Sequence, residues 1–388
     1  MNRPKLFRVT TIPLSVEKLL GKQLTFMNQY FDLTAISSDK KKLEKVGKEL
    51  GVKIHSIEMS RKITPLKDLI SLLKMSLYFL KEKPDIVHTH TPKAGLIGML
   101  ASKIAGINVR MHTVAGLPLM EAKGFKRKLL NFIEKITYYC ATDVYPNSFG
   151  LYDFILNEKF CKKEKLKVIG NGSSNGIDTE YFNESQISEE QKSALKKNFK
   201  ISDDDFVFVF VGRLVKDKGI NELVSVFQKI CQEKINNHNV KLLLVGPFET
   251  DLDPLSESTL SEIKQNPDII TVGYQKDVRP FFAISNCLVF PSYREGFPNV
   301  VLQAGAMGLP AIVTDINGCN EIIENGKNGI IVQPKSEDDL LNAMYFVSGD
   351  FLSKNQIKEY ARYSIVSKFD QQKLWKDLYA EYQSKLSK

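Results

Sequence analysis

Apolar residues in this chain recur in two alternating patterns. Short runs such as Phe7-Arg-Val-Thr-Thr-Ile, Leu33-Thr-Ala-Ile-Ser, Asp85-Ile-Val-His-Thr-His, Phe206-Val-Phe-Val-Phe-Val, Lys241-Leu-Leu-Leu-Val and Cys287-Leu-Val-Phe read as strands. The most apolar of them suit strands buried on both faces. Further strands are expected at 52–59, 109–118, 143–148, 269–275, 311–315 and 329–332. Longer stretches between them predict helices at 16–31, 40–50, 66–81, 124–139, 338–347, 356–366 and 371–386, with a short one at 278–283. Strand alternating with helix predicts an α/β fold with parallel sheets. The pattern lapses over 183–200, which is polar and charged without an apolar period, and restarts at Phe206. A linker is expected there, between two doubly wound α/β domains.

Composition narrows this reading. The 388 residues suit two or three domains. No run of roughly 18 apolar residues exists to cross a membrane. The N-terminus, Met1-Asn-Arg-Pro-Lys-Leu-Phe-Arg-Val, lacks the apolar core of a signal peptide. Five scattered cysteines, odd in number and without a C-x-x-C pair, argue against a disulfide framework or a zinc site. A cytoplasmic location is therefore expected. The net charge of +9 is uneven. Residues 1–185 hold 30 Lys and Arg against 18 Asp and Glu, whereas the remainder holds 24 against 27. A basic N-terminal half suits an anionic membrane surface or an anionic substrate. Nucleic acid is disfavoured, because no aromatic platforms are interleaved with the charge. The stretch 123–139 sets Lys123, Lys126, Arg127 and Lys128 beside Phe125, Leu129, Leu130, Phe132 and Ile133. It suits either a membrane interface or a core-facing helix.

The most informative chemistry follows the strand at 287–290. There Arg294-Glu-Gly-Phe-Pro-Asn299 reads as a turn entering a helix, with Pro298 at its first position. The amides of Gly296, Phe297, Asn299 and Val300 would face the mouth of the turn at the positive helix end, an anion site. Glu295 on the same lip can accept hydrogen bonds from sugar hydroxyls. After the strand at 206–211, Gly212 allows a tight exit and Arg213 and Lys218 bring two cations. Fixed cations and amides can stabilise charge growing on a departing phosphate without a metal. His88 and His90 face one way on their strand, but no third ligand lies nearby, so no metal site is expected.

These motifs resemble those of retaining, family-4-type glycosyltransferases (glycosyl transferases group 1), which have the GT-B fold. The resemblance implies two Rossmann-like domains facing across a cleft, with the C-terminal helix crossing back to the first. Residues 1–185 would bind the acceptor, 186–367 the nucleotide-sugar, and 368–388 would return to the first domain. It implies Glu295, Arg213 and Lys218 as catalytic residues, with Gly212, Gly296, Phe297, Asn299 and Val300 around the diphosphate and Gly273 and Tyr274 near the base. His90 and Asn175 would border the cleft. The second acidic position of the motif is Gln303 here, expected at the ribose, and the usual histidine before Gly116 is Ala115. Glu121 is a candidate acceptor-side base. The resemblance implies a UDP-sugar donor, no obligatory metal, and a polyprenyl-diphosphate-linked saccharide acceptor of bacterial capsule, exopolysaccharide or O-antigen synthesis. The enzyme would work peripherally at the inner membrane face. Two alternatives stay open: a same-fold enzyme such as an epimerase or a soluble-acceptor synthase, and a catalytically weak partner subunit.

Overall fold

The computed structural model describes residues 3–60, 62–117, 119, 122–233, 239–249, 253–349 and 355–387. The chain forms two compact units, Met1–Gly176 with Gln371–Lys388, and Ile177–Asp370. These divisions differ from the expected 185/186 and 367/368.

Unit 1 carries β1 (Lys5–Val9), β2 (Asp32–Ser37), β3 (Lys53–Ser56), β4 (Ile86–His90), β5 (Val109–Val114) and β6 (Asp143–Pro146). They lie in the order β3-β2-β1-β4-β5-β6, all parallel. Alternate side chains serve opposite faces. Leu6, Leu33, Ile86 and Met111 enter one core, and Phe7, Ile36, Val87 and Val144 the other. The C-terminal helix Gln371–Leu386 closes the first of these cores with Trp375, Leu378 and Tyr382.

Unit 2 carries β7 (Phe206–Val211), β8 (Val240–Val245), β9 (Ile269–Gly273), β10 (Cys287–Phe290), β11 (Ala311–Thr314) and β12 (Gly329–Val332). Their order is β12-β11-β10-β7-β8-β9, again parallel. In each sheet the direction of winding reverses once, between β1 and β4 and between β7 and β10. In such sheets ligands gather at the carboxyl ends of the strands where the order reverses.

Four local expectations are corrected. The helix expected at 16–31 is two pieces, a π-turn Val16–Leu20 and a helix Lys22–Met27, preceded by a short turn of helix at Pro13–Ser15. Gly21, at φ 47°, breaks it by donating to Val16 O at 2.8 Å. The expected linker at 183–200 contains a helix, Glu189–Asn198, with no buried residue. A capping box of Ser188 and Gln191, acidic residues in the first turn and lysines in the last hold it instead. Pro298 is the N-cap of the helix Asn299–Ala306, not its first residue. Between the strands expected at 311–315 and 329–332, where no helix is expected, lies a short one, Cys319–Ile322.

Candidate functional site

The two loops that leave β7 and β10 are locked together. Gly219, at φ 70°, sits where a Cβ would overlap the carbonyl of Pro291. Tyr293 N–H donates to Asp217 O at 2.9 Å, and Arg294 pairs with Asp217 at 2.8 Å. A third loop joins from β8. Leu214 N–H donates to Pro247 O at 2.8 Å, and a Cβ on Gly246 would overlap the carbonyl of Gly212. Glycine is needed at 219 and 246 because backbone passes within contact there. Gly212 itself lies at φ 156°.

This locking brings two of the three predicted catalytic groups into contact. Lys218 Nζ lies 2.6 Å from Glu295 Oε1, both side chains being largely buried. Ser292 Oγ donates to the same carboxylate oxygen at 3.2 Å and lies 3.4 Å from Lys218 Nζ. The lysine also stands 5.9 Å from the centroid of the Phe290 ring. Ser292 is held in turn by Thr314, whose hydroxyl donates to its carbonyl. Behind the pair lies Cys319, fully buried, whose thiol is pushed well up by burial and then by the nearby Glu295 carboxylate. Tyr293 bonds Glu222, and burial followed by that carboxylate raises its phenol.

The turn after Glu295 is braced by Asn317, whose amide donates to Gly296 O at 2.5 Å and Glu295 O at 3.3 Å. Those carbonyls are thereby held to one side. Among the described residues, the amides of Gly296, Phe297, Asn299 and Val300 donate to no protein acceptor. The Phe297 side chain packs against Phe369, with ring centroids 5.5 Å apart. Asn299 is exposed and Gln303 half-buried, one helical turn apart and so on one face. Gln303's side-chain amide has no partner among the described residues. Arg213 is half-exposed and pairs with Glu249 at 2.6 Å. Gly273 lies at φ 65° with open space beside it, and Tyr274 is 71% exposed.

The two unit 1 candidates are committed to interior contacts. His90 is 2% exposed and accepts from Arg8 Nε at 3.1 Å. Asn175 Oδ1 accepts from Trp375 Nε1 at 2.7 Å and from Gln23 at 3.2 Å. His112 is buried and bonded to Thr89 at 2.8 Å. Glu121 lies outside the described residues. No group of three potential metal ligands exists among the described residues.

Sequence reasoning missed Ser292, Thr314, Asn317, Glu249 and Glu222. Each acts through a neighbour brought from another loop. The one available signal was that Asn317 precedes a glycine in the stretch after β11.

The "Glycosyl transferases group 1" family profile matches residues 191–364, and a "Glycosyl transferase 4-like" profile matches 21–148. The capsular polysaccharide biosynthesis glycosyltransferase CapM of Staphylococcus aureus is 37% identical over 98% of this chain and 97% of its own length. UDP-Gal:α-D-GlcNAc-diphosphoundecaprenol α-1,3-galactosyltransferase of Escherichia coli is 29% identical over 83% of this chain and 82% of its own. The crystal structure of a glycosyltransferase from Rickettsia africae superposes with a TM-score of 0.81 at 18% identity, covering 100% of this chain and 99% of that one. That likeness shows the GT-B fold. The chain is a glycosyltransferase, and it belongs to the glycosyl transferases group 1 family.

Proposed function

We propose that the protein transfers a sugar from a UDP-sugar, with retention of configuration, to a saccharide carried on undecaprenyl diphosphate during synthesis of a bacterial surface polysaccharide. The observation that carries this reading is the contact of Lys218 with Glu295 beside four unpaired amides, at the point where the sheet reverses. A departing diphosphate gains negative charge, and preorganised donors lower the energy of that state more than they lower the ground state. Lys218, Arg213 and the amides of Gly296, Phe297, Asn299 and Val300 supply those donors, and no divalent ion is needed. Glu295 accepts from hydroxyls of the moving sugar, and Gln303 meets the ribose. The capsular role named for the S. aureus relative and the donor and acceptor named for the E. coli relative support the substrate classes.

A lipid-linked acceptor implies work at a membrane surface. No helix among the described residues is long and apolar enough to cross one. Unit 1 nevertheless presents an apolar row on the helix Pro65–Glu82, where Leu66, Leu69, Ile70, Leu73, Leu77 and Leu80 are all exposed. Its exposed charges are Lys67, Lys74 and Lys81, because Asp68 pairs with Lys93 at 2.7 Å and Glu82 with Lys5 at 3.2 Å. Phe125, Phe132 and Tyr139 are exposed at seven-residue spacing on the helix Gly124–Cys140. Lysines beside apolar rows suit an anionic bilayer surface.

The test is a panel of UDP-sugars offered with synthetic undecaprenyl-diphosphate saccharides and, separately, with soluble saccharides. Transfer confined to the lipid-linked acceptors, with the donor's anomeric configuration kept in the product, is expected. Transfer to soluble acceptors alone would overturn the acceptor class. UDP binding without turnover on any donor would point to a partner subunit.

A further inference from the structure

Arg8 lies inside β1, one residue from its carboxyl end, and is fully buried. A buried guanidinium normally meets a carboxylate, because removing a charge from water costs several kcal/mol even after relaxation. Arg8 meets none. Its Nε donates to His90 Nε2 at 3.1 Å and its Nη2 to Gln23 Oε1 at 2.7 Å, both neutral acceptors. Tyr382 is the titratable neighbour that favours its charge, and burial dominates, drawing the guanidinium below its ordinary range. His88 and His90 are held neutral by the same burial.

The bond from Arg8 fixes the tautomer of His90. Because Nε2 accepts, the ring proton sits on Nδ1. Among the described residues that Nδ1–H has no acceptor, and neither has Arg8 Nη1. Both residues line one cavity of about 20 Å³. A water needs roughly 10–15 Å³ on this measure, so the space suits one small particle. Asn147, on the same wall, leaves Oδ1 unpaired among the described residues. That acceptor suits a water. Two orphan donors and an unbalanced positive charge weigh the other way.

We propose that unit 1 holds a single halide-sized anion, chloride in ordinary buffers, between Arg8 Nη1 and His90 Nδ1–H. The anion neutralises the buried guanidinium and satisfies both donors. The site lies where the order of the first sheet reverses, so it also fixes the geometry of β1 against β4. A reporter is built in. Arg8 reaches the sole tryptophan through Gln23 and Asn175, with Trp375 Nε1 donating to Asn175 Oδ1 at 2.7 Å. The anion site does not depend on the proposed substrates.

Crystals grown in sodium bromide and measured at the bromine edge test it directly. An anomalous peak between Arg8 and His90 is expected. In solution, sodium chloride should raise the melting temperature by about 2–5 °C over sodium glutamate at equal ionic strength, and shift Trp375 emission. Arg8→Met, which removes the charge while filling the space, should abolish both differences. Density without anomalous signal would mean a water and would overturn the proposal. So would equal melting in the two salts. Should Arg8→Met fail to fold, the bromide map on the parent chain decides alone.

Discussion

The two units wind their sheets in the same order and place charge at the reversal point in opposite ways. In unit 2 the cations stand on loops beyond the strand ends, and each meets a carboxylate: Lys218 with Glu295, Arg294 with Asp217, Arg213 with Glu249. In unit 1 the cation is part of the strand, fully buried, and surrounded by neutral groups. Loop pairs can open to exchange a carboxylate for a phosphate. A strand residue fixed between two parallel neighbours cannot move without breaking the sheet. Shared topology therefore locates a site, and the element carrying the charge decides whether it can exchange partners.

The largest expected effect breaks the unit 2 pair. Lys218→Met should lower both UDP affinity and transfer, the latter by about 10²–10³-fold, the scale for losing one preorganised donor. Glu295→Gln should lower transfer by a similar factor yet leave UDP binding equal or several-fold tighter, because Lys218 loses its competing carboxylate. Steady-state kinetics and calorimetric UDP titration separate the two. Equal loss of UDP affinity in both variants would mean that the pair is structural.

Next comes the close approach that holds the loops. Gly246→Ala drives a Cβ into the Gly212 carbonyl, backbone against backbone, at φ 150°. It should cost about 3 kcal/mol or more in denaturant unfolding. Gly273→Ala meets nothing nearby and carries only the positive-φ penalty, about 1 kcal/mol. Equal losses would dismiss the close-approach account.

These contrasts also mark what the sequence could disclose. Strand placement, both cations and Glu295 follow from local pattern, because a strand-turn-helix unit writes its chemistry within ten residues or so. The Lys218–Glu295 contact does not, since it depends on how two loops far apart in sequence fold over one another. The Arg8 network is hidden for a different reason. An arginine among apolar strand residues reads as pointing to solvent, and only the returning helix Gln371–Leu386 shows that the face is covered. The helix at 189–198 escaped because caps rather than an apolar stripe stabilise it.

Unit 1 should respond to pH through its buried groups. Burial lowers His112 to about 4, so it is neutral in the native state while the unfolded residue charges near 6.5. Unfolded chains then bind the extra proton, and stability falls as pH drops from about 6.5 to 4. Glu134 acts oppositely. Burial raises it to about 7, so its unfolded form ionises first and stability falls as pH rises from about 4.5 to 7. Glu134→Gln should therefore gain about 2–3 kcal/mol more over the parent at pH 8 than at pH 4.5. A difference that does not change with pH would show that Glu134 is ionised in the native state.

The smallest stability effect is expected at Arg213, and it sharpens the comparison from the unit 2 side. Its contact with Glu249 is short, 2.6 Å, but the two side chains are 46% and 35% exposed. Ion pairs so open to water contribute about 0–0.5 kcal/mol, because solvent screens the attraction and ordering two long side chains offsets it. Arg213→Ala should leave the unfolding midpoint nearly unchanged. Charge-assisted hydrogen bonds to a bound diphosphate are stronger, about 1.5–3 kcal/mol, so UDP affinity should drop by at least tenfold. That loss should shrink as salt rises, since the contact lies at the surface. A variant that lost stability while keeping its UDP affinity would make Arg213 a brace for the β8 loop, and the diphosphate would then rest on Lys218 and the turn amides alone.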